Sequence, residues 1–135
     1  MNTTTTAENL AQTIADGDLN PFHLAAANLY GIDDTGNISE LDQHPDVYEL
    51  ISRNVDEIPD EITAVMVTTT GWAAPIADGI APSEHAERVR VRLSVYVPRD
   101  ASPVSVVMFA NGRENVIDEN SATGSLADAI QTLWW

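Results

Sequence analysis

A chain of 135 residues with 44% hydrophobic side chains is long enough to close one core without staples, and it has no cysteine, which removes disulfides, thiol nucleophiles and cysteine-held metals. Twenty-one acids against six arginines and no lysine leave a net charge of −15, which opposes direct contact with nucleic acid or with an anionic membrane. The opening MNTTTTAENL has neither a basic residue nor an apolar run, and no window approaches the ~18 apolar residues of a membrane span, so the cytoplasm is the expected location.

In chain order, Thr5 and Glu8 resemble a capping box, after which Ala7, Leu10, Ala11 and Ile14 recur at helical spacing until Gly17. Asp18 or Asn20 is placed to cap a second helix with Pro21 in its first turn, the stripe Phe22, Ala25, Ala26 and Leu29, and Gly31 after its end. GIDDTGNISELDQH (31–44) reads as a polar loop. A third helix is expected after Pro45, with Val47, Leu50, Ile51, Val55 and Ile58 on one face and Asp46, Glu49, Arg53 and Glu57 on the other. Beyond Pro59 the period changes to two. ITAVMVTTT (62–70) reads as a β-branched strand, GWAAPIADGIAPSE (71–84) as a long loop, and RVRVRLSVYV (88–97) as the cleanest strand of the chain. VSVVMFA (104–110) has large apolar residues at both alternations and so reads as buried on both faces. Asn111-Gly112 marks a tight turn, NVID (115–118) a short fourth strand, and Ser125 with Asp128 the start of a last helix striped by Leu126, Ala129, Ile130, Leu133 and Trp134. The expected fold is a single α+β domain over 1–135: a three- to four-stranded antiparallel sheet with N-terminal helices and a C-terminal helix packed on one face.

Strand 88–97 sets the main question, because it places three of the six arginines at alternate positions. Alternation sends Val89, Val91, Leu93, Val95 and Val97 into the core, and sets Arg88, Arg90 and Arg92 in a row with Ser94 and Tyr96 on the other face. Neighbours in that row lie ~7 Å apart, close enough to repel unless anions stand among them. The surplus of carboxylates makes internal neutralisation the expectation. The competing reading is an anion or an acidic partner held by the row.

Other chemistry is thinly represented. His85-Ala86-Glu87 copies the triplet of zinc-dependent deaminases, but that family also needs a PCxxC pair, which a cysteine-free chain lacks. His23, His44 and His85 share no ligand spacing, and DDTGNISELD (33–42) misses the offsets of a calcium loop. Ser83 and His85 form a weak nucleophile–base pair with no oxyanion motif. No catalytic residue, metal or cofactor is therefore expected. The candidate binding residues are Trp72 beside the proline-bearing loop, His85 and Glu87 at its end, Arg88, Arg90 and Arg92, and Trp135, which falls off the stripe of the last helix and offers a contact to a second copy of the chain, a homodimer.

The stretches VMVTTTGWAAP (65–75) and PSEHAERVRVRL (82–93) resemble a group of uncharacterised small proteins of high-GC Gram-positive bacteria and their phages, which more often carry proline where this chain has Ala86. The resemblance implies a bacterial or phage origin and no activity.

The expected function is a non-enzymatic acidic protein-interaction module, with a protein partner of basic character. Residues 33–61, with ten acids and one arginine for a net of −9, also fit an acidic inhibitor that imitates DNA. A third reading is a small enzyme using His85, Glu84 and Glu87, or an anion-binding domain built on the 71–92 loop and strand.

Overall fold

The computed structural model describes residues 3–73, 88–99, 103–112 and 114–118. Its order is α1 (Thr3–Asp16), β1 (Ala27–Asp33), β2 (Ile38–His44), α2 (Val47–Ser52), β3 (Ile62–Ala73), β4 (Val89–Pro98), β5 (Val104–Phe109) and β6 (Val116–Asp118). The six strands form one antiparallel sheet in the order β2-β1-β3-β4-β5-β6. This corrects the expected three- to four-stranded sheet with all helices on one face. The fold is α+β, but two further strands come from residues read as helix and loop, and the two helices lie on opposite faces of the sheet. The C-terminal helix expected from Ser125 onward falls outside the described residues.

The two faces separate by strand parity, except that Ile62 turns to the α2 side at the register shift between β1 and β3. Tyr30, Ile32, Ala64, Met66, Tyr96, Val104, Val106 and Met108 point to the side covered by Ala7, Ala11, Ile14 and Ala15 of α1. The three alanines in that stripe let the helix lie close against the strands. On the reverse side Leu29, Val65, Val67, Val95 and Val97 pack with Leu50 and Ile51 of α2. Tyr96, expected to point away from the core, is therefore in a core of its own and 8% exposed. Gly31 belongs to the α2 side, where a Cβ would come within 2.9 Å of the Ile62 side chain and 3.0 Å of Leu41, so the strand approaches its neighbours through the missing side chain.

β1, ANLYGID, is buried at six of its seven positions. A central strand covered on both faces has no polar alternation to display, and its Ala, Asn and Gly make it look like helix or turn. Asp33 closes the hairpin to β2. Its carboxylate accepts from the Thr35 N–H, the Thr35 hydroxyl and the Asn37 N–H, while Gly36 at φ 87° supplies the left-handed residue. The segment from β2 to β3 then passes across the sheet and lays α2 on the second face. That helix is capped by Asp46, which accepts from the N–H groups of Tyr48 and Glu49. It stops at Ser52 and does not run to Ile58 as the apolar spacing suggests, for a local reason. The Asn54 side-chain amide takes the Leu50 carbonyl at 2.7 Å, the Asn54 N–H turns back to Ile51, and Asp56 adopts φ 67°.

Candidate interaction face and the buried arginine row

Residues 17–26 join α1 to β1 and form a strap over the α1-side face of β3 and β4. The strap has no regular backbone ladder to hold it, so its attachment falls to side chains. Arg90 donates Nε–H and Nη2–H to the Phe22 carbonyl at 3.0 and 2.8 Å, and Nη2–H also reaches the Thr70 hydroxyl at 3.2 Å. That hydroxyl in turn accepts from the Leu24 N–H at 3.2 Å. Arg92 donates Nη1–H to the Pro21 carbonyl at 3.0 Å and meets the Asp18 carboxylate at 2.7 Å. Two arginines of one strand thus clamp four consecutive-region positions of the strap, Asp18, Pro21, Phe22 and Leu24, the last through Thr70.

Arg92 is the largest fully buried side chain described, at 0% exposure, whereas Asp18 keeps a quarter of its side chain in water. The strand neighbours on this face are polar as well. Register pairing places Asn28, Thr68 and Ser94 side by side across β1, β3 and β4, and Thr70 opposite Arg92. The Thr68 and Ser94 hydroxyls lie 3.4 Å apart, and Asn28, Thr68 and Ser94 are all buried. Tyr30, on the next rung, has its phenol pushed above the usual value, first by burial and then by the Asp18 and Glu40 carboxylates. The α1-side face is therefore apolar beneath α1 and polar beneath the strap.

Of the row expected from the sequence, Arg90 and Arg92 lie on β4 beneath the strap. Arg92 is neutralised by a carboxylate of its own chain, and Arg90 is held by a carbonyl and a hydroxyl. Arg88 is exposed just before β4. Trp72 pairs through its backbone with Arg90 across β3 and β4, and nothing further is described of its side chain. His85, Glu87 and Trp135 lie outside the described residues, as do Ser83, Glu84 and residues 74–84 of the expected loop, whose first three residues instead extend β3 to Ala73. Asp18, Tyr30, Asn28, Thr68 and Ser94 were not singled out from the sequence as site residues. Asp18 carried a signal only as a helix cap, and the other four sit on strands where isolated polar letters are unremarkable.

The acids follow the opposite pattern and face outward. The ten acids of residues 33–61 lie at the end of β1 and in the β1–β2 turn, on β2, on α2 with its cap, and on the turns leading to β3. Asp34, Glu40, Asp46, Glu49, Asp56, Glu57, Asp60 and Glu61 are exposed, while Asp33 and Asp42 are half-buried. The one cation of this stretch, Arg53, is engaged within it. Its Nε–H donates to Asp42 at 2.6 Å, its Nη2–H reaches the other carboxylate oxygen and the Gln43 carbonyl, and Asn54 donates to Asp42 at 2.8 Å. Hydrogen bonds from Arg53 first, then from Asn54, hold the Asp42 carboxyl well below its usual range. The Thr35 hydroxyl, then the Asn37 N–H, lower Asp33 in the same direction.

A carboxyl whose folded pKa lies below its unfolded value of ~4 adds stability in full above that value, and the contribution is lost as pH falls toward the folded value. Stability to urea should therefore fall between about pH 5 and pH 2, and Asp42→Asn should make that fall shallower. Because Arg53 is 44% exposed, the substitution should cost no more than about 1 kcal/mol at pH 7. An unchanged acid slope in the variant would remove this pair from the acid response.

No known protein family, curated protein or solved structure matches the chain. No described helix is long and apolar enough to cross a membrane.

Proposed function

We propose that the protein is a non-enzymatic interaction module that presents the β2 edge, α2 and the 54–61 turns to a basic region of a protein partner. The observation that supports this is the segregation of charge. Arg90 and Arg92 are turned inward to hold the strap, while eight exposed acids lie along the β1–β2 turn, β2, α2 with its cap and the turns to β3, with a single arginine that is already chelated. Such a face raises encounter rates with a cationic partner and repels anionic ones. Like charges at this density also work against the folded state, so a face of this kind carries a stability cost.

The test substitutes Glu40, Glu57 and Glu61 together by Gln and compares the variant with the wild-type protein in affinity capture, followed by titration of the recovered partner. The wild-type affinity should fall steeply with added salt. The variant should bind at least roughly tenfold more weakly at low salt, yet melt at the same temperature or slightly higher. Equal binding by both proteins would overturn the proposal. The DNA-imitating reading uses the same acids, and it is separated by competition: duplex DNA displaces such a protein from its partner, and does not displace one bound elsewhere.

A further inference from the structure

The guanidinium of Arg92 uses only one of its edges. Nη1 takes both the Pro21 carbonyl and the Asp18 carboxylate, whereas Nε and Nη2 are buried and have no hydrogen-bond partner among the described residues. Asp18 meets Nη1 through Oδ2 at 2.7 Å, in an ionic contact too poorly aligned to serve as a hydrogen bond. Nε–H and Nη2–H of an arginine point the same way from one side of a planar group, spaced to grip two oxygens of a carboxylate or a phosphate. Buried donors on a charged group are rarely left unmade, and a matched pair of them calls for a specific occupant.

We propose that this edge of Arg92 is a subsite for a small oxoanion, a carboxylate or phosphoryl group enclosed between the strap and the polar stripe of the sheet. The surroundings fit that chemistry. Thr70 stands opposite Arg92, and the Ser94 and Thr68 hydroxyls follow on the same face, so neutral donors are available to further ligand oxygens. No described carboxylate other than Asp18 pairs with Arg92, and Asp18 is on the far edge. The two edges have separate tasks: Nη1 fastens the strap, and Nε with Nη2 remains for the ligand. This inference does not depend on the acidic face.

The probes are sodium phosphate and sodium acetate, titrated into the wild-type protein at constant ionic strength set with sodium chloride. The readout is the arginine Nε–H region of a proton–nitrogen spectrum. Phosphate, acetate or both should give a saturable shift of the Arg92 signal, assigned through its proximity to Thr70 and Met108 and by its loss in Arg92→Lys. The more effective anion then identifies the phosphoryl or the carboxylate class. Arg92→Lys keeps the charge without the fork and should weaken binding at least roughly tenfold. If that variant does not fold, the wild-type titration decides alone. A shift no larger than chloride produces, or one shared equally by exposed Arg53, means an adventitious ion only and overturns the subsite.

Discussion

Asp18→Asn should destabilise the protein by about 3 kcal/mol or more, although the substitution removes no atom from the strap and keeps a hydrogen-bonding side chain. The reason is that Arg92 is fully buried, cannot release its proton, and has Asp18 as its one carboxylate among the described residues. Removing that charge leaves a guanidinium uncompensated where water cannot reach it. The reciprocal change should be milder. Arg92→Met keeps an extended apolar stem, removes the two unpartnered donors, and leaves only a carboxylate that is already a quarter exposed. A cost of about 1–2 kcal/mol is expected for it. The double variant should then be close to Arg92→Met alone, because Asp18 has nothing left to neutralise. Urea unfolding of the four proteins gives the coupling directly, expected at about 3 kcal/mol. Strict additivity would mean that the Arg92 charge is balanced elsewhere.

Leu50→Ala should have a comparable effect for a different physical reason. α2 has only six residues and is too short to be stable by itself, so it depends on what it buries. Leu50 is 0% exposed and Ile51 2%, and together they seat the helix on the Leu29, Val65, Val67, Val95 and Val97 side of the sheet. Truncating Leu50 removes that contact and leaves a void against a rigid sheet, at an expected cost of about 3 kcal/mol by equilibrium unfolding. The consequence reaches the acidic face, since Asp46 and Glu49 are carried by this helix and its cap. Partner affinity should weaken together with stability in Leu50→Ala, whereas Glu40, Glu57 and Glu61 to Gln should weaken affinity without loss of stability. A Leu50→Ala protein that binds and unfolds like the wild type would show that the helix and the face are independent of this seat.

Strands β3 and β5 were legible from their β-branched, apolar runs and β4 from its alternation, although β5 is fully buried on one face only, and the short β6 was expected from NVID at 115–118. α1 was legible from Ala7, Ala11 and Ile14, which are all buried. β1 was not, since its burial comes from being paired on both edges and covered on both faces, a tertiary circumstance that its own letters do not encode. β2, ISELDQH, is an edge strand whose exposed Glu40 and Gln43 look like loop, although charged edges are a common guard against further pairing. The arginine row illustrates the same limit. Its period and its need for internal partners follow from the sequence, but the identity of the cover does not. That cover comes from Asp18, Pro21 and Phe22, some 70 positions earlier, and two of its three contacts are backbone carbonyls that no side-chain pattern announces.

The central claim is that the strand's arginines face inward as structural clamps while the acids face out. Native-state footprinting with an arginine-selective dicarbonyl reagent, read by peptide mass spectrometry, tests it most directly. Arg88 is exposed and should react readily, whereas Arg92, reachable only when the strap lifts, should react at least roughly tenfold more slowly. Modification of Arg92 at the rate of Arg88 in the folded protein would contradict the account.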